Sequence, residues 1–155
     1  MQFSAQEDIQ VPISDVFEMV ADFGRFERMA LRRGIEVRRT FDTPSPGVGA
    51  CWDAEFKVRG RTRRMSVELA EFERPSLMRF VAAGKGMTSL TTVELLPLSQ
   101  RHTRLSIEMS LAAQTLPARL LLQSFKLGKT RFRRQFQLRL GDFAREMEAR
   151  YAHGG

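Results

Sequence analysis

Between Gln2 and Val11 apolar and polar residues alternate, with Phe3, Ala5, Ile9 and Val11 on one side and Gln2, Ser4, Gln6, Asp8 and Gln10 on the other. A period of two is that of a strand buried on one face. Pro12 ends this ladder, and Ser14 is placed to cap a helix that carries Asp15 in its first turn and Val16, Met19, Val20 and Phe23 at three- and four-residue spacing. Gly24 separates that helix from a second apolar set, Phe26, Met29 and Ala30, which Gly34 ends, so two short helices are expected after the first strand.

From Ile35 the period returns to two and holds through about six further segments. Ile35 to Phe41 is followed by the turn Thr43-Pro44-Ser45-Pro46-Gly47 and then by Cys51 to Val58, where Trp52, Ala54, Phe56 and Val58 share a face. Arg59-Gly60-Arg61 turns that strand into one with Met65, Val67 and Leu69 together, which makes a hairpin. Leu77 to Ala83, Met87 to Leu96 and a last strand with Leu105, Ile107, Met109 and Leu111 follow, joined by Gly84-Lys85-Gly86 and by a turn from Pro97 to Thr103. Consecutive short turns predict an antiparallel meander.

The final quarter switches period again. Thr115 and Pro117 mark a helix start, and Gly128 and Gly141 are the only breakers before Tyr151, which predicts a helix about 50 Å long at about 1.5 Å per residue. Leu121, Phe125, Phe132, Phe136, Leu140, Phe143, Met147 and Tyr151 fall within an arc of about 120°, a single stripe for packing lengthwise on the sheet. The order is α+β: a curved antiparallel sheet of about seven strands around a long C-terminal helix, with two short helices after the first strand. A straight helix cannot fill a twisted concave sheet, and the apolar gap between them suits a small ligand.

At 155 residues the chain has the size of a single domain spanning 1–155, and its 43% hydrophobic and 28% charged residues are those of an ordinary folded protein. Cys51 stands alone, no Cys or His spacing suits a metal, and no cofactor is called for. The polar start and the absence of a long apolar run point to the cytoplasm. The charge of +7 favours polyanions or anionic membranes as partners, or a surface of solvated arginines.

The run Val11-Pro12-Ile13-Ser14-Asp15-Val16-Phe17-Glu18-Met19-Val20-Ala21-Asp22-Phe23, with the element order and the terminal helix, resembles the START-like helix-grip (SRPBCC) superfamily over nearly the whole chain. Its branches include pollen allergens, polyketide cyclases and lipid-transfer domains. The resemblance implies a helix-grip fold and a small hydrophobic ligand, whether lipid, isoprenoid or polyketide-like, and brings no catalytic signature with it.

Polar side chains in phase with apolar ones are the candidates for orienting a ligand head, because burying them unpartnered is costly. Glu7, Arg39 and Arg63 are such positions on strands, and Lys129 lies near the middle of the helical arc between Phe125 and Phe132. Trp52, Phe56 and Met65 are candidate cavity walls, and Gly128 either leaves room between aromatics or marks a helix defect. Each has a structural alternative: snorkelling for the cations, plain core for Trp52. His102 and His153 lie in a turn and a terminus, which disfavours histidine catalysis, while a cyclase or dehydratase acting through Glu7 or Arg39 is the enzymatic alternative. Two basic runs, Arg59-Gly60-Arg61-Thr62-Arg63-Arg64 and Arg131-Phe132-Arg133-Arg134-Gln135-Phe136, raise nucleic acid as a partner, but the aromatics of the second face inward and no nucleic-acid motif accompanies them. Transient contact of the basic hairpin with anionic lipid is the milder expectation.

Overall fold

In the computed structural model, residues 1–41 and 47–154 are described; the expected turn at 43–46 lies outside them. The chain runs β1 (Gln2–Ile9), α1 (Ile13–Val20), α2 (Phe23–Arg32), β2 (Glu36–Phe41), β3 (Cys51–Val58), β4 (Arg61–Glu73), β5 (Leu77–Gly84), β6 (Met87–Ser99), β7 (His102–Ala113), α3 (Leu116–Leu127) and α4 (Lys129–Gly154). The strands form one curved antiparallel sheet in the order β1-β7-β6-β5-β4-β3-β2. The chain leaves β1 at one edge and re-enters at the other, and α1 and α2 make that crossing. This is the α+β helix-grip architecture.

Several boundaries differ from the sequence pattern, each for a local reason. Ser14 does not cap α1: the helix opens at Pro12, whose carbonyl accepts the Val16 N–H at 3.0 Å, so Ser14 already lies inside the first turn. Gly24 lies inside α2, and the break falls at Asp22, whose carboxylate accepts the Arg25 N–H at 3.3 Å as an N-cap. β6 runs through Pro97 to Ser99, because β5 begins at Leu77 opposite Glu94 and beyond Leu95 only β7 flanks β6, where a proline is tolerated. The β3–β4 hairpin has Arg59 at φ 55° and Gly60 at φ 74°, the two positive values that a tight turn between twisted strands requires.

The expected 50 Å helix is two helices. Thr115 caps α3 by accepting the Ala118 N–H at 3.3 Å, as its position suggested, and α3 stops at Gly128 before α4 starts at Lys129. α4 lies along β1: Phe132 packs on Phe3 with ring centroids 4.7 Å apart, Gln137 Nε2 donates to the Gln6 carbonyl at 2.9 Å, and Glu148 Oε2 accepts the Gln10 N–H at 2.8 Å. Leu140, Ala144 and Met147 of α4 are buried with Ile9, Val11, Val16, Phe17, Leu69, Met78 and Leu105 in the core.

The exit from β1 is fixed by Thr103, a fully buried polar side chain whose hydroxyl donates to the Val11 carbonyl at 2.8 Å. Thr103→Val keeps the shape but leaves that carbonyl without its partner, and is expected to cost about 1 to 3 kcal/mol in a urea unfolding measurement. On the outer side of β1, Asp8 accepts from Arg104 at 2.8 and 3.2 Å, and this hydrogen bond holds the carboxyl below its ordinary value of 3.8. A depressed carboxylate stabilises the fold above its unfolded-state value and loses that contribution as pH falls through the lowered one. Stability should therefore decline more steeply with acidification below 3.8 in the native chain than in Asp8→Asn, as read from urea midpoints across acid pH.

Candidate functional site

Strand register arranges the core-facing side chains in rows that cross the sheet, and burial changes from one end of the rows to the other. Leu95, Leu105 and Glu7 form the first row; Met78, Val93, Ile107 and Ala5 the second; Leu69, Phe80, Thr91, Met109 and Phe3 the third. These rows hold most of the fully buried strand residues. The fourth row is Arg39, Trp52, Val67, Ala82, Ser89 and Leu111, in which only Trp52 is buried. The fifth is Val37, Ala54, Met65, Gly84, Met87 and Ala113, and every member is only half-buried. Phe56 and Arg63 stand opposite each other one step beyond.

Small side chains explain this opening. Ala54, Ala82, Ser89 and Ala113 stand where larger residues would reach across the concavity, whereas Gly84 is a close approach, a Cβ there meeting the Arg64 carbonyl oxygen at 2.8 Å; α4 covers the sheet from β1, starting at the third row. α3 leaves the sheet after Ala113, with Thr115 against Gly86, so it begins at the open end. An open depression of about 630 Å³ crosses β2 to β5 at the fifth row; Val37, Ala54, Met65 and Gly84 of that row and Leu31 of α2 line it together with residues of the opposite, outward alternation set, the charged Glu36, Arg38, Asp53, Glu55 and Arg64 among them. Of the cavity residues expected from the sequence, Met65 lines it.

The other candidates divide into groups. Arg39, Trp52, Phe56, Arg63 and Met65 lie on neighbouring rows of β2, β3 and β4. Arg39 Nη2 donates to Glu27 Oε1 of α2 at 2.5 Å and its guanidinium lies 5.9 Å from the Trp52 ring centroid, a cation–π arrangement. Trp52 is itself in the core, edge-on to Phe23 at 5.3 Å and tilted against Phe80 at 6.3 Å. Arg63 Nε donates to the Val58 carbonyl at 3.4 Å within its own hairpin. On the helices, Phe125 and Lys129 are half-buried, while Phe132 is half exposed although its spacing placed it inward, because α4 starts at the β1 edge and the ring covers Phe3 from outside. A Cβ at Gly128 would have the Phe125 carbonyl oxygen, 4.0 Å away, as its nearest neighbour, so the glycine accompanies the helix break and borders open space.

Glu7 is three rows from Arg39 and on the opposite edge strand. Its carboxylate sits over the backbone of α4, where a Cβ at Gly141 would meet Oε1 at 2.9 Å. An inward carboxylate and a mid-helix glycine thus account for each other. His102 Nδ1 is 3.0 Å from Ser99 Oγ, but the pair closes an exposed β6–β7 turn. Among the described residues no group of three His, Cys, Asp or Glu is arranged to hold a metal, and no helix is long and apolar enough to cross a membrane.

No family model matches the chain, and no curated protein matches it. Solved structures do. The Zhui aromatase/cyclase from Streptomyces sp. R1128 superposes with a TM-score of 0.73 at 13% identity, over 100% of this chain and 98% of that one. The protein TTHA0849 from Thermus thermophilus gives 0.70 at 16% identity, over 96% and 98%. A START superfamily protein from Mycobacterium smegmatis gives 0.59 at 11% identity, over 92% and 98%. The chain therefore has the START-like helix-grip fold along its whole length, and at these identities the likeness is one of fold.

Alanine at position 141 should gain from its higher helix propensity, by about 1 kcal/mol, only where the Glu7 carboxylate no longer has to move aside. Gly141→Ala is accordingly expected to stabilise Glu7→Ala more than it stabilises the native chain, and a double-mutant cycle by thermal unfolding measures the difference. Equal effects in both backgrounds would show that the two positions are not coupled.

Proposed function

We propose that the protein binds a small hydrophobic ligand, of lipid, isoprenoid or polyketide-like character, on the open half of the concave face. The observation that carries this reading is the burial gradient. The first two rows are mostly buried, with only Glu7 and Ile107 half-buried, whereas the fourth and fifth combine apolar chemistry with half-buried side chains, a surface that gains by covering with an apolar partner. The hydroxyl of Ser89 in the fourth row, with that of Thr91 in the third beside it, supplies hydrogen-bonding groups at the edge of the apolar surface. Binding is favoured over catalysis because the polar groups proposed for acid–base work are separated and engaged: Glu7 against Gly141, Arg39 with Glu27 and Trp52. The fold itself is compatible with either, since it positions sites without specifying chemistry.

Filling the fourth and fifth rows tests the reading. Ala54→Leu with Ala82→Leu should weaken binding of a dansyl-labelled undecanoic acid by roughly tenfold or more, while the midpoint of thermal unfolding stays close to native because the added methyl groups enter open space. Native mass spectrometry of the purified protein should retain a lipid-like mass that the double variant lacks. Unchanged dye binding would reject the site. Marked destabilisation would show that these rows are already filled core, and turnover of a polyketide-like substrate by an empty protein would favour the cyclase reading.

A further inference from the structure

α3 is apolar on two opposite sides. Ala118 and Leu122 are buried against the fold, while Leu116, Leu120 and Leu127 are 69%, 58% and 92% exposed. At about 100° per residue these three leucines fall within about 40° of one another, a stripe opposite the packed face. Beyond the break at Gly128, Arg131, Arg134 and Leu138 follow one another at three- and four-residue spacing along α4 and are likewise exposed, Leu138 at 63%. Burial inside the chain explains none of these leucines.

Charge is concentrated on the same segment. From Thr115 to Gly141 there are seven Lys and Arg and no Asp or Glu. The 18 Lys and Arg elsewhere equal the 18 Asp and Glu, so this segment carries the whole net charge of +7. The Arg59–Arg64 hairpin differs, because there Arg64 is paired with Glu55 at 2.9 Å, and that hydrogen bond lowers the Glu55 carboxyl.

We propose that the outer face of α3 and the first half of α4 is a docking surface for an anionic phospholipid bilayer, with the leucine stripe entering the acyl boundary and the flanking cations meeting lipid phosphates. Two other occupants fit less well. A second copy would set one cationic segment against another, at a repulsive cost. A nucleic acid would satisfy the cations but leave the aliphatic stripe stranded, and Phe132, already on Phe3, is not free to stack on bases. A bilayer with anionic headgroups satisfies both halves of the pattern, as interfacial helices do. The proposal is independent of what the concave face binds, although α3 starts beside that face and docking would bring it to the source of an apolar ligand.

Co-sedimentation of the full chain with phosphatidylcholine vesicles, with and without phosphatidylglycerol, tests this. Binding is expected with phosphatidylglycerol, falling steeply as salt is raised, and at least tenfold weaker without it. Leu120→Glu and Leu127→Glu should each weaken it by roughly tenfold or more. Arg131→Gln with Arg134→Gln should weaken it by about thirtyfold, while Arg59→Gln changes it little. All these side chains are exposed, and an unchanged circular dichroism melt verifies that each variant is folded. The Ala54→Leu and Ala82→Leu variant should still bind vesicles, which separates failure of this proposal from failure of the ligand site. Equal binding to neutral vesicles, insensitivity to salt, or native affinity in the leucine variants would overturn the proposal. So would a leucine-dependent dimer, or tight oligonucleotide binding, in a protein that ignores vesicles.

Discussion

The pairing of α4 with β1 is the contact on which the rest of the concave face depends. Phe132 rests on Phe3 at one end, and Glu148 holds the Gln10 backbone at the other. Between them Gly141 lets the helix approach Glu7. Held to one edge strand in this way, α4 sends Leu140, Ala144 and Met147 into the buried core together with Val16 and Phe17 of α1. The same placement leaves the far rows to α3, which begins beside them and is separated from α4 by the break at Gly128. A curved sheet and one straight helix cannot touch along their whole lengths, and here the mismatch gathers at one end.

Much of this architecture was legible in the residue pattern, because strands and helices announce themselves through periods of two and 3.6. Cys51 to Val58 and the hairpin at Arg59 and Gly60 lie where the alternation placed them. What the pattern missed turned on single hydrogen bonds or neighbours: Asp22 and not Gly24 separates the first helices, and Pro97 survives inside β6 because β5 has not yet begun there. The helix break was visible only as an isolated glycine, which periodicity alone cannot distinguish from a tight contact.

The candidate site was less legible, and the reason is physical. Large and charged residues are the conspicuous ones at inward positions of an alternating pattern. The open rows are defined by the small residues Ala54, Ala82, Ser89 and Ala113, each unremarkable in its own strand. Their common feature is register: Ala54 and Ala113 share one row, Ala82 and Ser89 the next, and register between strands distant in sequence is set by turns and bulges such as the shift between Leu69 and Glu71. In-phase small residues on successive strands were the available signal, though it has meaning only once the strands are aligned.

Once aligned, the rows also constrain what kind of recognition this face can perform. The inward charges found from the sequence are largely consumed by the fold: Glu7 against the α4 backbone, Arg39 by Glu27 and Trp52, Arg63 by the Val58 carbonyl. The inward-facing side chains that remain in the open rows are methyl groups, thioethers and the Ser89 hydroxyl, which discriminate by shape and area more than by charge, and charge returns only with outward-set residues such as Arg38 and Asp53 at the rim. A ligand taken there would be selected for its apolar body, and an ionised head would have to stay at the open edge in water, since the charges deeper in the rows are already engaged by the fold. Apolar capture with a solvated head is the recognition that this distribution of small side chains permits.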